Sequence, residues 1–82
     1  MARREFEVTT EWQVVSRRAA LFTIIKEPVT TGANKILFND APTEVYAEQL
    51  TRGNKGEQII QPLDVTTYVK SAVEGYKLAV ED

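Results

Sequence analysis

Residues branched at Cβ dominate this chain of 82 amino acids, which has 9 Val, 5 Ile and 9 Thr but only 5 Leu. Branching at Cβ restricts side-chain rotamers in a helix and suits a half-buried, pleated strand. Turn signals rich in Pro, Gly, Asn and Asp recur roughly every ten residues, a spacing typical of sandwiches and barrels. The sequence therefore predicts an all-β fold, a small two-sheet β-sandwich of about seven to eight short antiparallel strands.

A chain of 82 residues has room for one domain. We predict that residues 1–11 form an N-terminal arm or an edge strand and that residues 12–82 form a single β-sandwich domain. The predicted strands are Phe6–Val8, Trp12–Val15, Ala20–Lys26, Lys35–Asn39, Thr43–Glu48, Glu57–Gln61, Val65–Lys70 and Tyr76–Val80. The turns between them are expected at Pro28–Asn34, Asn39–Pro42, Arg52–Gly56, Pro62–Asp64 and Glu74–Gly75.

The third predicted strand is apolar on both of its faces. Alternation places Phe22 and Ile24 on one face, with Leu21 and Ile25 on the other. Such a strand is either central in its sheet or packed against a neighbouring subunit.

The segment from Val65 to Val80 also fits a helix, because its apolar residues recur at helical spacing and Ser71–Glu74 matches a capping box. Gly75 in the middle and the β-branched run Val65–Val69 oppose a helix. We therefore predict two strands joined at Ser71–Gly75.

Composition excludes several classes of function. The chain has no cysteine and no histidine, which excludes disulfides, metal sites built on those residues, and nucleophilic or base catalysis by them. Ten basic residues against 12 acidic ones leave a net charge of −2, without the basic excess typical of duplex nucleic-acid binders. No apolar run approaches a membrane span, and Met1–Arg4 is followed by acidic residues, so we expect neither membrane association nor a signal peptide.

The acidic residues show no catalytic pattern. The candidates are Asp40, Asp64, Glu44, Glu48 and Glu57. A glycosidase-like or metal site needs two or more carboxylates that converge on one concavity. Both aspartates lie in turns beside a proline, where the side chain commonly binds the local backbone. We predict no catalytic residue, no metal ligand and no cofactor.

Gly53–Gly56 is rich in glycine, as phosphate-binding loops are. It lacks the Lys-Ser/Thr pair of a P-loop, so we predict a hairpin loop with left-handed residues.

The clearest candidates for partner binding are arginines near the N-terminus and one aromatic residue. They are Arg3, Arg4, Phe6, Arg17 and Arg18. The Arg17–Arg18 pair is suited to a carboxylate-bearing partner, since guanidinium groups bind carboxylates in a bidentate manner. Glutamates interleave with these arginines, so a solvated surface of mixed charge is the alternative.

Aromatic residues allow two further interpretations. Trp12, the only tryptophan, either closes one end of the core or serves in docking. An exposed row of Trp12, Phe38, Tyr46 and Tyr68 on one sheet face would favour binding of a peptide or a single nucleic-acid strand.

The layout of residues 11–82 resembles the small β-sandwich modules of tailed-bacteriophage virions, which include capsid decoration (cement), neck and tail-associated subunits. The segments that carry the resemblance are Trp12 before the Val14–Ile25 strands, Lys35–Asn39 with its acidic-proline turn, Gly56–Ile60, Thr67–Ser71, Gly75 and Tyr76–Val80. The resemblance brings no catalytic residues. It implies a structural subunit that binds other virion proteins, is assembled in the host cytoplasm and forms homo-oligomers.

Two functions thus remain open. The first is a virion structural subunit that acts by protein–protein binding to coat, neck or tail subunits, with neither membrane nor nucleic acid as the expected partner. The second is an SH3-like or OB-like cellular module that recognises a peptide or single-stranded nucleic acid.

Overall fold

The computed structural model describes residues 2–29, 36–50 and 54–82. Those residues contain eight strands and no helix. In chain order the strands are β1 (Arg3–Glu7), β2 (Gln13–Ser16), β3 (Ala20–Lys26), β4 (Ile36–Asn39), β5 (Glu48–Leu50), β6 (Gln58–Gln61), β7 (Thr67–Ser71) and β8 (Lys77–Glu81). The prediction of an all-β, two-sheet fold is confirmed.

The strands form two four-stranded sheets that are antiparallel throughout. The first sheet has the order β1-β8-β3-β6, and the second has the order β2-β7-β4-β5. Among the described strands, only β4 and β5 are consecutive in the chain and pair with each other. Every other connection between consecutive described strands passes from one sheet to the other. Each sheet is therefore assembled from distant parts of the chain.

The core lies between the sheets and is filled by alternate residues of the central strands. In β3, Phe22 and Ile24 are each 1% exposed, as their alternation predicts. Phe22 contacts Phe38 of the opposite sheet, with ring centroids 5.5 Å apart. The outward residues of β3, which include Leu21, are half-buried, and β3 lies between β8 and β6. Its central position explains why both of its faces are apolar.

The N-terminal segment folds onto the domain. Residues 3–7 form β1, an edge strand that pairs with β8 along its whole length, from Arg3 opposite Glu81 to Glu7 opposite Lys77. Val8 follows as a core residue, 3% exposed.

The predicted strand Thr43–Glu48 is wrong over most of its length, because β5 begins only at Glu48. The Asn39 side-chain amide donates to the main-chain oxygens of Thr43 (2.7 Å) and Val45 (3.0 Å), which holds the chain in a loop. Tyr46 then adopts a left-handed conformation, with φ of 62°, and this breaks strand alternation. The pairing of β4 with the following strand is as predicted, but the connection is longer.

The predicted strands near the C-terminus are present and the helical alternative is wrong. β7 and β8 lie in different sheets, so Ser71–Gly75 carries the chain across the sandwich. Gly75 has a φ of +118°, a conformation that L side chains rarely adopt. Lys35 of the fourth predicted strand, part of the Pro28–Asn34 turn, and the Arg52–Gly53 part of the next turn lie outside the described residues.

Candidate partner-binding site

Four of the five residues predicted to bind a partner line one concave surface, of about 630 Å³, between the edge strands β1 and β2. We name it the arginine groove. Its lining is Ala2, Arg4, Phe6, Val14, Val15, Ser16, Arg17, Arg18 and Asp82. Since β1 and β2 belong to different sheets, the groove follows one open side of the sandwich.

Arg4 lines the arginine groove and links the two sheets. Its guanidinium donates to the main-chain oxygen of Val15 (3.0 Å) and pairs with the carboxylate of Asp82. The same guanidinium lies over the Phe6 ring, 5.3 Å from its centroid. The Ser16 hydroxyl donates to Asp82 Oδ2 (2.8 Å). The charge of Arg4 is therefore compensated within the chain, and its role is structural.

Arg17 and Arg18 differ from Arg4, because both are exposed and neither makes an ion pair with any residue that the structure describes. They follow β2 directly, in a bend whose backbone is held by the Ser16 hydroxyl, which accepts from the Arg18 N–H (3.3 Å). The bend fixes the backbone and leaves the two guanidinium groups available to a partner. Their chemistry suits carboxylates.

Arg3 does not belong to the arginine groove. It lies on the outer side of β1, where it pairs with Glu5 (3.6 Å) and with Glu81 (3.8 Å). Strand alternation separates it from Arg4, because successive side chains point to opposite faces.

The candidate carboxylates do not converge. Glu44 pairs with Lys70 (3.1 Å), and Asp64 accepts from the Ala19 N–H (2.9 Å). The expectation that Asp64 binds its local backbone is wrong, since Ala19 is 45 residues away along the chain. The side chain of Glu48 is not among those that the structure describes. Over residues 2–29, 36–50 and 54–82 there is no group of three or more acidic side chains that could hold a metal ion.

Two backbone amides of the glycine-rich loop donate hydrogen bonds to acceptors within the chain. Gly56 has a left-handed φ of 95°, and its N–H donates to the Ile24 main-chain oxygen (2.7 Å). The Lys55 N–H donates to the Glu27 carboxylate (2.6 Å). Gly53 lies outside the described residues. The predicted left-handed residue is confirmed at Gly56, but the predicted hairpin is wrong, because the strands on either side of the loop, β5 and β6, lie in different sheets.

The four aromatic residues do not form one exposed row. Phe38 is 3% exposed and belongs to the core, because alternation in β4 turns it inward together with Ile36. Trp12 is half-buried outside the core cluster, with Lys70 Nζ 5.6 Å from its ring centroid, so the expectation that it closes the core is wrong. Tyr46 is 97% exposed and Tyr68 is half-buried.

A second concave surface, of about 730 Å³, lies beside β6 and was missed by sequence reasoning. We name it the β6 cleft. Its lining includes Tyr46, Ile59, Ile60 and Thr67. Thr67 is 3% exposed, and its Oγ1 has no hydrogen-bond partner among the described atoms. The one signal in the sequence was the apolar pair Ile59–Ile60, which leaves Ile60 71% exposed.

Comparison of the chain with protein-family models, curated proteins and solved structures finds no match. The described part of the chain contains no helix that is long and apolar enough to span a membrane.

Proposed function

We propose that this chain is a structural subunit of a tailed-bacteriophage virion, a capsid decoration (cement) protein or a head–tail or tail-associated protein. It acts by binding coat, neck or tail subunits, and it is assembled into particles in the host cytoplasm. The virion setting rests on the resemblance in layout. The binding role rests on one observation, which is the pair of exposed guanidinium groups of Arg17 and Arg18 beside the arginine groove.

The arginine groove favours an acidic segment of another subunit. Arg4 is already neutralised by Asp82, so the remaining charge of the groove comes from Arg17 and Arg18. Phe6 adds a half-buried apolar surface that a partner side chain would cover. Rim charges of this kind set orientation and association rate more than affinity.

A non-catalytic role without a cofactor is part of the proposal. The full sequence has no histidine or cysteine, and the carboxylates of Glu44 and Asp64 are used in separate contacts. The absence of these residue types and the separation of these two carboxylates support a role in binding rather than catalysis.

The experiment compares two double variants in the genome that encodes the chain. Arg17→Gln with Arg18→Gln removes two positive charges at the groove, whereas Lys26→Gln with Lys55→Gln removes two exposed charges outside it. We expect the wild type and the lysine variant in purified particles at constant stoichiometry, with the arginine variant depleted. Normal incorporation of the arginine variant would exclude the groove as the contact. A wild-type chain that is never found in particles would overturn the virion role.

A second candidate function, a binding module for an extended peptide, is favoured by the β6 cleft and by exposed Tyr46 at its rim. Its single-stranded nucleic-acid version has less support, because Phe38 is buried and Lys70 lies over Trp12. Titration with an oligothymidylate at low salt, monitored by Trp12 fluorescence, tests the nucleic-acid version. We expect no change, and a saturable, salt-sensitive change would favour nucleic-acid binding.

A further inference from the structure

The two edges of the first sheet differ in chemistry. β1 has the sequence Arg-Arg-Glu-Phe-Glu, with four of its five residues charged, whereas β6 has the uncharged sequence Gln-Ile-Ile-Gln. Charged side chains on an edge strand discourage pairing with another chain. β1 has that protection, and β6 lacks it.

The outward main-chain groups of β6 follow from its pairing with β3. The Ile24 N–H donates to the Glu57 oxygen (2.9 Å), and Ile59 lies opposite Phe22. Main-chain groups alternate in direction along an antiparallel strand, so those of Gln58 and Ile60 point away from the sheet. No described segment pairs with that side of β6. An added strand would find their N–H and C=O groups available.

β6 presents an apolar side chain on each face of the sheet. Ile59 packs against the core and lines the β6 cleft, where Tyr46 is 97% exposed. On the outer face, Ile60 is 71% exposed and lies opposite Leu21. An exposed apolar surface beside an open strand edge is typical of an interaction site.

The charges around β6 are compatible with a second copy of the same surface. The shallow outer groove beside Ile60 includes two carboxylates, those of Glu81 and Asp82. Glu81 pairs with Arg3 (3.8 Å) and Asp82 pairs with Arg4, so both carboxylates are compensated within their own chain. These two carboxylates therefore add no uncompensated negative charge beside the open edge of β6.

We propose that β6 pairs with β6 of a second copy, antiparallel across a two-fold axis, so that the two four-stranded sheets become one continuous sheet. The contact is self-complementary, as a two-fold interface requires. It adds a strand beside Ile60 and beside the β6 cleft of each copy. The proposal deepens the proposed function, because it names one partner of the subunit. It is tested separately, since β6 and β1 are opposite edges of the sheet.

Pro62 selects the register. Pairing Ile60 with Ile60 of the second copy would place Gln58 opposite Pro62, which has no N–H to donate. Pairing Gln58 with Ile60 instead satisfies every outward N–H and C=O of both residues. In that register Ile59 lies opposite Ile59 of the second copy, as a non-hydrogen-bonded pair with Cα atoms about 4.5 Å apart.

The first test uses the absence of natural cysteines. Full-length Ile59→Cys and Ile60→Cys proteins are oxidised mildly at equal concentration and separated without reductant. We expect a disulfide-linked dimer from Ile59→Cys, because the expected Cα spacing suits a disulfide. Ile60→Cys, although Ile60 is the more exposed residue, should remain mostly monomeric because it faces Gln58. Preferential cross-linking of Ile60→Cys would overturn the register, and no cross-link from either variant would overturn the pairing.

The second test measures mass in solution by sedimentation. We expect the wild type at about twice the 9.2 kDa chain mass and Gln58→Pro as a folded monomer, since proline removes an outward N–H. Glu5→Pro is the matched control, because the Glu5 N–H points outward at the other edge, and we expect it to remain dimeric. A wild type that stays monomeric to high micromolar concentration, or a Gln58→Pro protein that stays dimeric, would overturn the proposal. If the wild type is monomeric and its β6 amides are protected from hydrogen exchange only in the presence of purified particles, this edge binds another subunit and the proposal of self-pairing is overturned.

Discussion

The Arg4 guanidinium on the edge strand of one sheet donates a hydrogen bond of 3.0 Å to the main-chain oxygen of Val15 on the edge strand of the other. This contact spans the open side of the sandwich and is reinforced by the Asp82 carboxylate, whose side chain is only 9% exposed. One side chain thus supplies the hydrogen bond that a neighbouring strand would otherwise give to Val15.

Replacing Arg4 by alanine should destabilise the protein by about 1.5–3 kcal/mol, the usual range for a hydrogen bond to a charged group. Arg3→Ala is the matched control, because its ion pairs with Glu5 and Glu81 are exposed and should contribute less than about 1 kcal/mol. Urea unfolding of the two variants measures the difference. Equal losses would show that the link from Arg4 to Val15 and Asp82 adds nothing specific.

Ile24→Asp should prevent folding. Ile24 is 1% exposed at the centre of the core, and an unpaired buried carboxylate costs several kcal/mol, comparable with a small domain's stability of about 5 kcal/mol. Val29→Asp also replaces a β-branched aliphatic side chain by a carboxylate, but at a residue that is 100% exposed, and it should leave the melting temperature nearly unchanged. A cooperatively melting Ile24→Asp protein would mean that β3 does not have the position described above.

Alanine substitutions at two glycines with positive φ distinguish the cost of backbone strain from the cost of steric contact. A Cβ on Gly75 would lie 3.1 Å from the Cα and Cβ of Pro28, whereas a Cβ on Gly56 would meet nothing within 4 Å. We expect Gly56→Ala to cost about 1 kcal/mol from strain alone, and Gly75→Ala to cost about 2 kcal/mol or more. Thermal unfolding of both variants checks the order, and a larger loss for Gly56→Ala would contradict it.

Tyr76 should make the protein sensitive to alkaline pH. Burial raises the pKa of Tyr76 above its usual value of 10.0, and the nearby carboxylates of Glu27 and Glu57 raise it further. The unfolded chain therefore releases this proton first, so the associated stability is complete below pH 10 and is lost as the pH rises towards the higher folded-state pKa. Denaturant unfolding as a function of pH should show the wild type losing stability relative to Tyr76→Phe above pH 10.

Tyr46→Phe is the control for this pH dependence, because Tyr46 is 97% exposed. Its unfolding curve should remain parallel to that of the wild type over the same pH range. A wild type and a Tyr76→Phe protein that also stay parallel would contradict the prediction.

Sequence by itself determined the fold class and the inward face of most strands. Alternation is a local property with a period of two residues, so the burial of Phe22 and Ile24 follows from their spacing alone. β-branched residues and Gly75 favoured two strands over a helix for Val65–Val80, and the structure confirms the strands. The sequence also indicated Arg17 and Arg18 as a pair suited to carboxylates, whereas the bend that exposes both of them was not predicted.

Only the tertiary structure decided which strands pair and what the edges present. β7 and β8 are consecutive in the chain yet lie in different sheets, and Asp64 binds an amide 45 residues away. A strand's pattern specifies its two faces but not its neighbours, because pairing depends on contacts between residues distant in sequence. The link from Arg4 to Val15 exists only once the two sheets are stacked, and the open edge at Ile60 follows from the strand order of the first sheet, so no local pattern encodes either.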